Sequence, residues 1–158
     1  MLHPILQLCS GHPARSHKTQ MIMGGKVMPL LNFHITEGSR NDEELQLFLD
    51  IAHEAVVEAF GVPQRDRYQI VNEHKKGHMI LQDTGLGFER DDSAVLVHIF
   101  TSTRPDEQKH KFYDILASKL QAATGLDPKN LMIALFENTQ ADWSFGFGRA
   151  QYITGELG

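Results

Sequence analysis

The pattern that most restricts the fold of this chain occurs twice. "PLLNFHIT" (29–36) reads as a strand, leads into helical periodicity near 41–60 and stops at Gly61. "AVLVHIFT" (94–101) reads as a strand, leads into helical periodicity near 105–124 and stops at Gly125. In the first helical segment Leu45, Leu49, Ala52, Val56 and Ala59 recur at three- and four-residue steps, flanked by Phe48 and Phe60. In the second, Phe112, Ile115, Leu116, Leu120 and Ala123 share one face. Asn41 and Glu44 have the spacing of a capping box. Pro105 suits a first helical turn, and Asp106 and Glu107 favour its positive end. The two glycines are ordinary helix stops. Each helix then feeds a further strand, "RYQIVNEH" (67–74) and "NLMIALFEN" (130–138).

Two tandem β-α-β units with right-handed crossovers predict a four-stranded sheet carrying two helices on one face, an α+β two-layer sandwich. The strands are nearly continuously apolar, and such strands need cover on both faces. The bare face therefore predicts association with further copies of the chain. Segments 77–92 and 139–158, rich in glycine and aromatics, are predicted as loops and short hairpins at edges or subunit contacts.

A chain of 158 residues has the length of one domain. Cys9 is the only cysteine, which excludes an intrachain disulfide and suits a reducing, cytoplasmic setting. No apolar run is long enough to span a bilayer, so no membrane partner is expected. Residues 1–28 hold Arg15, Lys18 and Lys26 and no acid; 15 − 3 leaves 12 basic against 20 acidic residues beyond them, a net −8. An acidic body argues against nucleic acid as a partner. An anionic ligand would require a local cationic site.

The first 28 residues show no periodicity and no apolar signal core. They are expected to be an extension, either disordered or a mis-assigned start. Gly24-Gly25 can be encoded as a bacterial ribosome-binding sequence two codons ahead of Met28, which is then the expected initiator. The domain proper is expected over 29–158.

A double β-α-β unit that begins with Pro directly after an initiator Met resembles the tautomerase superfamily. Within it the chain is similar to the malonate semialdehyde decarboxylase group. The likeness rests on "MPLLNF", "AHEAVVEAFGVPQRDRYQIV", "DTGLGFER", "RPDEQKHKFY" and "ENTQADWSFGFGRAQYITGEL", which span nearly all of 28–158. It implies a homotrimer with sites near subunit boundaries, acting on a small anionic oxo-acid without a cofactor.

The resemblance also implies the working residues. Removal of Met28 would expose the secondary amine of Pro29. A free α-amino group titrates near neutrality and can serve as base, acid or electrostatic sink. A nitrogen acylated by Met28 can do none of this. Asp66, in "PQRDRYQ", matches the family's catalytic aspartate. Arg104 follows the third strand at a helix amino terminus, where a guanidinium fork suits a carboxylate. The decarboxylase motif carries two arginines around a proline; this chain has Arg104 alone, preceded by Ser102 and Thr103. Trp143, Phe145, Tyr152 and Leu157 match an apolar wall of the substrate pocket. The implied reaction is decarboxylation of a 3-oxo acid. A single arginine fits keto–enol tautomerisation or hydration about as well, and a blocked Pro29 would leave a non-catalytic binding protein.

"TGLGF" and "FGFGRA" lack the spacing of a phosphate loop. His53, His98 and His110 show no metal-ligand pattern, so no metal is expected. His98 is expected in the core or an interface, and His53 and His110 on the surface.

Overall fold

The computed structural model describes residues 28–157. The expectation for the segment ahead of Met28 lies outside the described residues. The elements are β1 (Leu30–Thr36), α1 (Asp42–Phe60), β2 (Tyr68–His74), β3 (Val95–Ser102), α2 (Asp106–Thr124) and β4 (Leu131–Asn138). A 3-10 turn at Gln140–Asp142 and a one-turn helix, α3 (Gln151–Thr154), follow.

The sheet order is β2-β1-β3-β4. β1 runs parallel to β2, and β3 runs parallel to β4. The two β-α-β units meet antiparallel at the β1–β3 seam, where Phe33 faces Val97. The two long helices have 19 residues each and begin 64 positions apart (106 − 42). The expected double unit is thus the observed one, within a residue or two at each boundary.

Alternation along the strands decides what each face does. Leu31, Phe33 and Ile35 of β1 and Val95, Val97 and Ile99 of β3 point at the helices and are buried. They meet Phe48, Ile51, Ala52, Ala55 and Val56 of α1 and Phe112, Leu116 and Leu120 of α2. α1 opens on the predicted capping box: Glu44 N–H donates to Asn41 Oδ1 and Asn41 N–H to Glu44 Oε2, both at 2.9 Å. Gly61 closes it with φ +64°, a left-handed turn that glycine adopts without penalty.

The opposite sheet face is bare in the single chain. Ile70, Met132 and Phe136 stand exposed on it. Beside them lie His34, His74 and His98, with His34 Nδ1 2.9 Å from His74 Nε2 and ring centres of His34 and His98 4.9 Å apart. At the edge of the sheet where β1 ends and β3 begins, Arg40 Nη2 donates to the Ser93 carbonyl (2.9 Å), and Asn130 Nδ2 to Ser93 Oγ (2.9 Å).

Two expectations are corrected. His53 is buried, not on the surface, because a ring nitrogen bonds the Gln64 carbonyl at 2.7 Å where the α1–β2 loop folds back over it. The segment after β4 forms no hairpin. Gly146, Phe147 and Gly148 take φ of +145°, +57° and +64°, a run incompatible with a strand. His110 is exposed, as expected, and His98 is half-buried on the bare sheet face.

Candidate active site

Strand direction gathers the candidate residues. β1 and β2 are parallel and start at the edge where the antiparallel β3, and β4 with it, end. Pro29 immediately precedes β1 and is buried. Asp66 lies just ahead of β2, Arg104 just after β3, and Trp143, Phe145 and Tyr152 in the segment after β4. Residues far apart in sequence therefore meet at one edge because of the topology alone.

Arg104 is 8% exposed. Its Nε donates to Thr101 Oγ1 at 3.2 Å and its Nη1 to the Phe60 carbonyl at 3.4 Å. The guanidinium lies 4.9 Å from the centre of the Phe60 ring. Burial pushes its pKa down from the usual arginine value, and the Tyr152 phenol works in the opposite sense. Its main-chain N–H donates to Glu137 Oε1 at 3.3 Å, and Glu137 is itself paired with Lys109 at 2.7 Å. The loop that carries the arginine is thereby fastened to β4.

Asp66 has a side chain only 13% exposed, with Arg65 Nε at a loose 4.0 Å. Its amide donates to the Pro63 carbonyl at 2.9 Å, a tight turn that presents the residue. Arg67 does not take the carboxylate, since it pairs with Asp50 at 2.7 Å.

Tyr152 is where these strands of chemistry meet. Its hydroxyl accepts from the Met28 N–H at 3.3 Å. Burial pushes the phenol pKa up; the Met28 N–H pulls it down; Asp66 and Tyr68 raise it further; Arg104 lowers it. The ring packs edge-on to Phe145 at 5.5 Å. Phe145 also stacks on Trp143 (5.5 Å, 2°) and touches Tyr68 (5.9 Å). Trp143 Nε1 donates to Asn138 Oδ1 at 3.0 Å, which sets the indole at the end of β4. Leu157 is half-buried, its amide donating to the Gln151 carbonyl at 3.1 Å at the foot of α3.

Sequence reasoning overlooked the supports. Gln151 is 8% exposed and clamps the loop, accepting from Phe145 N–H (2.9 Å) and donating to the Gly146 carbonyl (2.8 Å). Thr101 and Phe60 hold the arginine. Thr101 carried one signal, a hydroxyl at a helix-facing register of an apolar strand. Among the described residues no group of three or more His, Cys, Asp or Glu could hold a metal ion. No helix among them is long and apolar enough to cross a membrane.

The architecture is that of a doubled β-α-β sandwich with its polar groups drawn to the strand ends beside an aromatic wall. Two family models, both described as tautomerase enzyme, match it, over residues 29–89 and 66–146. The probable tautomerase YrdN of Bacillus subtilis (strain 168) is 51% identical over 130 residues, 82% of this chain and 100% of that protein. A malonate semialdehyde decarboxylase with decarboxylase and hydratase activities is 46% identical, with a TM-score of 0.78 over 82% of this chain and 99% of the other. The FG41 malonate semialdehyde decarboxylase inhibited by 3-bromopropiolate is 40% identical, with a TM-score of 0.76 over 81% and 97%. The chain belongs to the tautomerase family, whose members are enzymes of the isomerase and lyase type.

Proposed function

We propose that the chain decarboxylates a small 3-oxo acid of the malonate semialdehyde kind, through the ring nitrogen of Pro29 freed from residues 1–28. The observation that carries the reading is that Pro29, Asp66 and Arg104 stand at the same edge of the sheet as Tyr152, whose hydroxyl accepts from the Met28 N–H at 3.3 Å. The likeness to two malonate semialdehyde decarboxylases supports the substrate class. A family model that begins at residue 29 supports a catalytic unit of 29–158, to which residues 1–28 are an extension.

In this reading Arg104 holds the substrate carboxylate, and the Pro29 amine, as a cation, polarises the carbonyl. The bond between the carboxylate and the middle carbon breaks and CO₂ leaves. The electron pair stays as an enolate beside the two positive groups, and a proton then returns to carbon to give the aldehyde. Asp66 orients water or the carbonyl end. Trp143, Phe145, Tyr152 and Leu157 exclude water, which strips the carboxylate of its hydration and favours its loss as CO₂. The bare sheet face is covered by two further copies in a trimer, which light scattering of the native protein would check.

A second reading, keto–enol tautomerisation of a 2-oxo acid, is favoured by the single arginine and by the probable tautomerase function of the Bacillus relative. Assays of malonate semialdehyde against phenylenolpyruvate separate the two. The form that begins at Pro29 should turn over one of these at least about 100-fold faster than the full chain, because an amide nitrogen contributes no acid–base catalysis. Equal turnover by protein that retains the peptide bond on Pro29 overturns the reading.

A further inference from the structure

The bare face of the sheet carries a polar cluster that the proposed reaction does not use. Alternation puts His34 of β1, His74 of β2 and His98 of β3 on that face, on three adjacent strands. His34 stands between the other two: its Nδ1 is 2.9 Å from His74 Nε2, and its ring centre is 4.9 Å from that of His98. At that distance one nitrogen donates and the other accepts, so at least one of the two bonded rings is neutral. Phe136 packs edge-on to His98 at 5.2 Å, and Ile70 and Met132 are exposed on the same face. Asn32, in register with His98, buries its Oδ1 without a donor among the described residues, an acceptor left for a covering chain.

Nothing within the chain offsets positive charge in this cluster. Burial, then His98 and His74, push the His34 pKa down, and no carboxylate is among the groups acting on it. Glu73 points to the helix face of the sheet, as its register partner Ile35 does. Glu37, just past β1, bonds the His74 carbonyl through its amide. Lys75 and Lys76, just past β2, are exposed, and Lys76 is paired with Asp92. β4 presents Met132, Ala134 and Phe136 beside β3, none of them titratable. Tyr68 lies at the opposite end of β2, against Phe145. A second proton on the His34–His74 pair turns their bond into two facing donors with like charges. Water relieves that charge on an open face. Between packed subunits it does not, and every copy brings the same three rings. The separated chain therefore binds protons more readily than the assembled one, and acid favours separation.

We propose that the His34–His74–His98 cluster makes the self-association of this chain pH-dependent, holding the trimer together near neutrality and releasing it in mild acid. This rests on the trimer of the proposed function and not on its reaction. A neutral cluster can be buried along with Ile70, Met132 and Phe136; a charged one resists burial.

The test is sedimentation of the full chain over a concentration series from pH 7.5 to 5. Exchange between labelled and unlabelled subunits is the second readout, for a trimer too tight to dilute apart. Far-UV circular dichroism at each pH reports whether the chain is folded. One proton taken up per chain raises the trimer dissociation constant about 1,000-fold per pH unit, below the pH at which the free chain is protonated. His34→Gln removes the neighbour shared by the other two rings and should lose most of that slope, as should His74→Gln. His110→Gln, at an exposed position of α2, should keep it. A dissociation constant and exchange rate that do not move with pH overturn the proposal. So does a slope that survives in both His34→Gln and His74→Gln, tighter association in acid, or unfolding ahead of dissociation. A chain that is monomeric at every pH overturns it together with the proposed trimer. Absence of the expected turnover with the pH slope intact defeats the proposed reaction and supports the role of the cluster.

Discussion

Thr101→Val probes what holds the buried arginine. Thr101 is fully buried, and its hydroxyl oxygen is the acceptor for Arg104 Nε at 3.2 Å. Valine keeps the branched shape and replaces that oxygen by a methyl group. A hydrogen bond to a charged group contributes about 1.5–3 kcal/mol, and a domain of this size loses roughly 5–10 °C of Tm for that amount. The assay is urea unfolding of four proteins: the parent, Thr101→Val, Arg104→Met and the double variant. With Arg104 replaced, the hydroxyl has lost the cation it served, so Thr101→Val should then cost close to nothing. The expected coupling is about 1.5–3 kcal/mol. If the valine costs the same with and without the arginine, the hydroxyl does not position Arg104 and the account of the site's support is wrong. On the proposed chemistry, Thr101→Val should also raise KM more than it lowers kcat, since it loosens the carboxylate-holding group.

Further outcomes follow from other contacts. Asn41→Ala removes the acceptor of the Glu44 N–H at 2.9 Å and should cost about 1 kcal/mol in thermal unfolding, with Asn41→Asp close to the parent. Phe112→Ala empties a fully buried position stacked 5.0 Å from Phe60 and should cost about 3–5 kcal/mol. The pKa of His34 is pushed below its ordinary 6.5 by burial first, then by His98 and His74. The unfolded chain therefore binds more protons between that lowered value and 6.5, so stability falls as pH drops through this window and levels off once the folded His34 is also protonated. Tm measured from pH 7.5 to 5 should show this fall in the parent and a shallower one in His34→Gln.

What the sequence disclosed was whatever depends on near neighbours. The periodic stripes of α1 and α2, the Asn41–Glu44 cap and the Gly61 stop are set within one or two helical turns, and each was readable in advance. His53 was misread because its burial depends on a loop eleven residues away supplying the Gln64 carbonyl. The hairpin expected after β4 was misread for a similar reason. Glycine and aromatic content gave no hint of the positive φ at Phe147 or of the Gln151 clamp. Asp66 and Arg104 could be singled out only through motif likeness, as isolated charges beside strands are commonplace. That they share one edge follows from the antiparallel β1–β3 seam, which no local pattern encodes. Thr101 and Phe60 were invisible because alternation along a strand tells which way a side chain points and not whom it meets.

The 64-residue repeat also gives the molecule a counterpart to its candidate active corner. Stepping 64 positions from Pro29 and Asp66 reaches Ser93 and Asn130, and stepping back 64 from Arg104 reaches Arg40; Arg40 and Asn130 both donate to Ser93 at the far edge of the sheet. There the arginine grips a main-chain carbonyl and the amide grips a hydroxyl, so the counterpart is riveted shut. A polypeptide has a single amino end, and the nitrogen of Ser93 is an amide wherever the chain starts. Of two corners with matching backbones, only one can ever be made reactive, and the other is left to hold the sheet together.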